Sequence, residues 1–150
     1  MTKPVTCATL VQFENTILAC HATGSTHWDL PKGVAEPDDE LYSEAAVREL
    51  QEETGIILPL FDLDYVTTDS YSSEKDIILF HHRLDKKPVI FECTSTFTTR
   101  GCSLTPSVTL PEVDDYAWMT LDEFIKATSN VMRRFLQRNQ TLIEEHLTAS

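Results

Sequence analysis

Residues 48–56 read Arg-Glu-Leu-Gln-Glu-Glu-Thr-Gly-Ile. Glu49, Glu52 and Glu53 beside a lone Arg48 form an all-oxygen donor set of the kind that suits a hard divalent cation such as Mg²⁺ or Mn²⁺. On a helix turning about 100° per residue, Glu53 falls about 40° to one side of Glu49 and Glu52 about 60° to the other. The three carboxylates therefore share one narrow face, with Ala46, Val47 and Leu50 on the flank that would bury. A solvated, ion-paired face accounts for Glu44, Arg48 and Glu52 at four-residue intervals, at about 0.2–0.5 kcal/mol per pair. It does not account for Glu49 and Glu53, which are like charges four apart with no cation opposite them. Glu52 and Glu53 also stand in the last turn, where the helix dipole disfavours negative charge. A bound divalent cation would remove all of these penalties.

The neighbouring residues support such a site. Gly55 can take the left-handed conformation that ends a helix just after Glu53, with Ile56 packing back. Gly33 permits close approach of a loop backbone and is expected to turn a carbonyl oxygen toward the same ion.

Elements must position this face. "VTCATLVQF" and "TILACHAT" read as two strands joined at "ENT", and "HWDLPKG" as a short extended piece opening a loop at Pro31 and Gly33. Residues from about 40 to 54 read as the acidic helix. "IILPLFDLDYVTTDSY", "DIILFHHRL" and "PVIFECTSTF" read as strands, and Thr94 to Thr109 as an irregular Ser/Thr-rich excursion. Thr120 and Glu123 form a capping-box pattern that opens a helix. Val131, Met132, Phe135, Leu136, Leu142, Ile143 and Leu147 recur at helical spacing, which predicts one long amphipathic closing helix. Strands, helix, strands, helices predict an α/β (α+β) sandwich, a mixed β-sheet flanked by helices.

At 150 residues, with 41% hydrophobic residues, the chain suits one domain over 1–150 with a proper core. A formal net charge of −12 argues against nonspecific binding of nucleic acid or an anionic membrane. No stretch approaches membrane-spanning length and no secretory leader is visible, so a cytoplasmic setting is expected. Cys7, Cys20, Cys93 and Cys102 lack zinc-type spacing and read as reduced thiols, although Cys93 and Cys102 could be neighbours across a hairpin.

Gly33, Glu40, Arg48, Glu49, Leu50, Glu52, Glu53, Gly55 and Ile56 together resemble the signature of the Nudix hydrolases, G-x5-E-x7-R-E-U-x-E-E-x-G-U with U apolar. Every specified position from Glu40 onward matches, and the Trp28 to Lys32 segment is similar to the one that commonly precedes the motif. One departure stands out: six residues, not five, separate Gly33 from Glu40. "EPDDE" replaces the usual E-P-G-E turn, so Asp38 or Asp39 is expected at the turn position that prefers glycine. Leu41 stands where a capping Ser or Thr is common, so an Asp is expected to cap the helix.

The resemblance implies metal-dependent cleavage of a nucleoside diphosphate linked to another moiety: a nucleotide, dinucleoside polyphosphate, nucleotide sugar or ADP-ribose. It implies Mg²⁺ or Mn²⁺, more than one ion per site. Glu52 and Glu53 would be ligands, Glu49 a ligand or an activator of water, and Arg48 the residue that holds a glutamate in place. Family members often bring one more acid from a late loop. Glu112, six residues before Trp118, has a similar spacing; Asp114, Asp115 and Glu92 are its rivals. Lys32 and Arg100 are candidates to meet phosphate, and Trp28, Tyr71 or Phe80 to stack on a base, although each is also explained as solvated or core. His21 and His27 flank the presumed cleft without ligand spacing, and His81 and His82 point to opposite faces of a strand. A non-hydrolytic nucleotide-binding or sensing domain is the alternative function. A plain acidic interaction module fits the motif spacing poorly. The sequence leaves monomer and homodimer open.

Overall fold

The computed structural model describes residues 3–149. Strands β1 (Val5–Phe13) and β2 (Thr16–Ala22) are followed by the short β3 (Trp28–Asp29) and β4 (Lys32–Val34). Helix α1 (Tyr42–Thr54) comes next, then a 3₁₀ turn at Leu60–Asp62, β5 (Asp64–Ser70) and β6 (Asp76–Arg83). The short β7 (Thr96–Thr98) and β8 (Thr109–Pro111) precede β9 (Val113–Met119) and helices α2 (Leu121–Ala127), α3 (Asn130–Arg138) and α4 (Gln140–Thr148).

Seven strands form one mixed sheet in the order β3-β2-β1-β6-β5, with β4 also pairing β1 and β9 pairing β2. β1 and β6 run parallel in register from Val5 opposite Asp76 to Gln12 opposite Arg83, and the other pairings are antiparallel. These central strands are near-continuous apolar runs because both of their faces are covered. Val11, Leu18 and Cys20 pack with Leu50 of α1, and Cys7, Ile78 and Phe80 pack with Ala45 and Ala46. On the other face Ala8, Leu10, Ile17, Ala19, Ile77 and Leu79 meet Phe124, Met132, Phe135, Leu136 and Ile143 of the C-terminal helices. The result is the expected helix-flanked mixed sheet. Among the described residues no helix is long and apolar enough to cross a membrane.

Several local expectations differ. Residues 88–95 form no strand; Glu92 donates its N–H to the Thr54 carbonyl and Thr94 donates to that of Glu52, so this segment caps the end of α1 instead. The Ser/Thr-rich excursion is partly ordered as the β7–β8 hairpin, with Phe97 opposite Leu110. Cys102 lies near its tip and Cys93 before its base, so the two are not cross-strand neighbours, and all four cysteines are free. The closing helix is broken at Asn139, whose amide donates to Asp69 and to the Phe135 carbonyl, turning the chain between α3 and α4.

Leu41 stands at the N-cap of helix α1 and supplies no side-chain cap. Glu44 instead accepts the Glu40 N–H at 3.2 Å, and no Asp caps the helix. Nor does Asp38 or Asp39 take a positive φ: among the described non-glycine residues only Glu14, in the β1–β2 turn, does so, at 53°. The loop's extra residue lets it turn without a left-handed position. At its other end α1 stops at Gly55, φ 81°, whose N–H reaches the Gln51 carbonyl as expected of a glycine cap.

Candidate active site

The C-terminal half of α1 lies against β4 and the β8–β9 junction. Gly33 is a residue of β4, paired with Cys7, and the Glu49 carboxyl group fills the space above its Cα. A Cβ on Gly33 would stand 2.0 Å from the Glu49 Cδ, so the glycine makes room for the carboxylate. Glu53 is only 8% exposed, and its Oε1 accepts the Lys32 N–H at 3.2 Å. Tyr116 donates its hydroxyl to the Glu53 carbonyl at 2.5 Å, and its ring stacks on Phe91 at 4.4 Å between centroids. The last helical turn is thereby pinned by the Lys32 backbone and by Tyr116, neither of which the sequence marked for that role.

Arg48 fans its nitrogens across the acidic cluster. Nη1 bonds Asp39 Oδ1 at 2.5 Å, Nη2 reaches Glu49 Oε1 and the Val34 carbonyl at 3.4 Å each, and Nε lies 3.8 Å from Glu52 Oε1. Glu49 therefore does have a cation beside it, contrary to the wheel, because the flexible arginine reaches around the helix. Glu53 has no ion-pair partner within 4 Å among the described residues.

Burial raises the Glu49 carboxyl above its ordinary range, and the neighbouring charges of Glu52 and Glu112 add to the effect while Arg48 opposes it. Burial likewise pushes Glu53 up to about 8; the Lys32 N–H and ammonium pull it back only in part. These are carboxylates short of positive charge.

Glu112 sits at the β8–β9 junction, held by its N–H to Ser95 and its carbonyl to Thr23, both at 3.0 Å. It lines a cavity of about 160 Å³ together with Cys20, Asp29, Lys32 and Glu53. None of its rivals lines that cavity. Asp114 bonds His21 Nδ1 at 2.5 Å, Asp115 accepts the adjacent Tyr116 N–H, and Glu92 packs beside Gly55.

The other candidates are scattered. Lys32 is spent on Asp29, 3.2 Å away, and its ammonium lies 5.9 Å from the centre of the Tyr71 ring. Trp28 packs edge-on to His21 and against the core beneath α2 and α3, on the sheet face opposite Asp29. Arg100 is exposed in the outer part of the β7–β8 hairpin, beyond β7. Phe80 is core. His81 is buried and bonds Gln12 Oε1 at 2.7 Å, whereas His82 bonds the Asp62 carbonyl and His27 belongs to an exposed turn. Sequence reasoning passed over Asp29 and Tyr116; the three-residue spacing of Asp29 and Lys32 was the one available signal for the first.

Among the described residues no three acidic, histidine or cysteine side chains already converge on one point. The donor set still fits a hard divalent cation: oxygen ligands only, two of them raised above the ordinary carboxylate range by burial, and a carboxylate seated where a glycine leaves room.

The comparisons with known proteins agree with this architecture. An uncharacterised 17.7 kDa protein from the e–segB intergenic region of Enterobacteria phage T4 is 35% identical over 94 residues, 60% of this chain and 59% of that protein, so the match spans less than two thirds of the relative. An ADP-ribose pyrophosphatase of Streptococcus suis superposes with a TM-score of 0.70 at 15% identity, covering 99% of this chain and 96% of the other. The NUDIX domain of Shewanella oneidensis NrtR, complexed with ADP ribose, superposes with a TM-score of 0.68 at 15% identity, covering 99% and 90%. At such identities the likeness is one of fold. The NUDIX domain family model matches residues 1–138, and with the motif seated on α1 as described, the chain belongs to the Nudix family.

Proposed function

We propose that the protein is a Nudix hydrolase that cleaves a phosphoanhydride bond in a nucleoside diphosphate linked to another moiety. The observation that carries this reading is the placement of Glu49 and Glu53 at the C-terminal end of α1, with Glu112 lining the same cavity as Glu53, Arg48 reaching Glu49 and Glu52, and the Lys32 ammonium paired with Asp29. Glu52, Glu53 and Glu49 would hold Mg²⁺ or Mn²⁺, with Glu112 as a further ligand or base. Bound there, the ions would neutralise phosphate oxygens and lower the pKa of water.

The chain's own residues do the rest. The missing Cβ of Gly33 keeps the Glu49 carboxylate against β4, and Tyr116 and Lys32 hold Glu53 by its carbonyl and its carboxylate. Glu112 or Glu49 accepts a proton from the attacking water. The water oxygen bonds phosphorus, the bridging P–O bond breaks, and the electron pair leaves with the departing phosphate. Free thiols fit a reducing, cytoplasmic setting. A binding or sensing role is the weaker reading, because Glu49, Glu52 and Glu53 are all retained.

The test is a panel of nucleotide sugars, ADP-ribose, dinucleoside polyphosphates and nucleoside triphosphates with Mg²⁺ or Mn²⁺, products separated by chromatography. Loss of an outer partner of a metal ligand costs about 10–100-fold, so Glu52→Gln, which alters a direct ligand, is expected to lower turnover by roughly two orders of magnitude or more. Near wild-type turnover by that variant at saturating Mg²⁺ overturns the assignment.

A further inference from the structure

The acidic loop before α1 departs from the family pattern by one residue, and its geometry reassigns a role. Glu40 occupies the motif position, yet its side chain is exposed and makes no bond to Arg48. Asp39 is 10% exposed at its side chain, and both of its oxygens are engaged. Oδ1 accepts from Arg48 Nη1 at 2.5 Å, and Oδ2 accepts the Glu36 N–H at 2.7 Å. The Asp39 N–H returns to the Glu36 carbonyl at 3.0 Å, so the Glu36–Asp39 turn is closed in both directions and aims the carboxylate at the guanidinium.

A guanidinium is planar and rigid, so fixing one nitrogen orients the other two. The shortest of the Arg48 contacts goes to Asp39. The contacts to Glu49, at 3.4 Å, and to Glu52, at 3.8 Å, are longer, and Nε is a buried donor without a hydrogen-bond partner. We infer that Asp39, rather than Glu40, is the positioning residue of this site: it draws Arg48 toward the loop, so that Glu49 and Glu52 are oriented by the arginine without being neutralised by it. This rests on the proposed metal-binding role of the two glutamates. Without the Asp39 carboxylate the guanidinium would close on Glu49 and Glu52 and compete with a divalent cation for the same oxygens.

The experiment compares Asp39→Asn, Asp39→Glu, Glu40→Gln and Glu36→Gln with the wild-type chain. Mn²⁺ binding is read from the free-ion electron paramagnetic resonance signal, and the Arg48 guanidinium from its ¹⁵N resonances, identified with Arg48→Lys. Glu36→Gln is the charge control, since Glu36 lies 3.9 Å from Arg48 but is 63% exposed at its side chain. Asp39→Asn is expected to weaken Mn²⁺ binding about tenfold or more and to shift the guanidinium signals. Asp39→Glu, which keeps the carboxylate, is expected to recover most of the loss, while the Glu40 and Glu36 variants stay within about twofold. Unchanged Mn²⁺ affinity in Asp39→Asn, or an equal loss in all three charge-removing variants, overturns the inference. If the wild-type chain neither binds Mn²⁺ nor hydrolyses any substrate, the proposed function fails. In that case guanidinium signals shifted by Asp39→Asn alone still support Asp39 as the anchor of Arg48, and unshifted signals overturn it.

Discussion

Glu53 is the most heavily buried of the helix glutamates, and that burial should be readable as a pH-dependent instability of the metal-free protein. Its carboxyl is raised from an ordinary 4.5 to about 8, first by desolvation. A raised carboxylate pKa means that the folded state binds the proton more tightly than the unfolded chain does. The associated stability is full below about pH 4.5 and is lost as pH rises to about 8. Each pH unit inside that window costs about 1.4 kcal/mol. Between about pH 6 and pH 9 two such units are crossed, so the wild-type chain in EDTA is expected to lose about 3 kcal/mol through this group. Glu53→Gln keeps an oxygen for the Lys32 N–H and carries no charge, so it escapes the loss. At about 2–4 °C per kcal/mol for a chain of this size, the margin by which Glu53→Gln melts above wild type in EDTA should widen by roughly 8 °C between about pH 6 and about pH 9. Adding Mg²⁺ should narrow the gap, because an ion bound only by the folded wild type stabilises it by about 2.7 kcal/mol at a hundred times its Kd. Parallel melting curves at the two pH values, or an equal Mg²⁺ shift in both proteins, would refute the reasoning.

Two further substitutions probe the same architecture. Gly33→Ala displaces the movable Glu49 carboxyl rather than any backbone atom, so turnover is expected to fall about a hundredfold while Tm moves by only a few degrees; a collapse in Tm with proportionate loss of activity contradicts this. Glu112→Gln is expected to lower kcat more than it raises KM, whereas Glu92→Gln and Asp115→Asn leave steady-state kinetics close to wild type; the reverse pattern would move the late acid to one of those residues.

How much of this was legible in the chain depends on how local the determinants are. The acidic face of α1, its glycine stop at Gly55 and the Thr120–Glu123 capping box follow from spacing and backbone preference within a few residues, and the structure has all three. The strands β1 and β6 were likewise legible as β-rich runs, although their burial on both faces, which takes in Thr6, Thr9 and Gln12, was not. The break at Asn139 was not, because helical periodicity continues through it; the side-chain contact with Asp69, 70 positions away, accompanies the turn there. Residues 88–95 look strand-like by composition, yet their backbone groups are taken by the open carbonyls at the end of α1, a choice only three-dimensional proximity can make. The same holds at the site. The sequence determined which residues could bind metal, since residue type and helical spacing are local. Only the tertiary structure decided that Asp39 holds Arg48, that Tyr116 pins Glu53, that Lys32 is consumed by Asp29, and that Glu112 rather than its rivals shares the cavity with Glu53. Each of those pairings depends on where a side chain ends after the loops have closed, and loop closure is set by packing between distant elements.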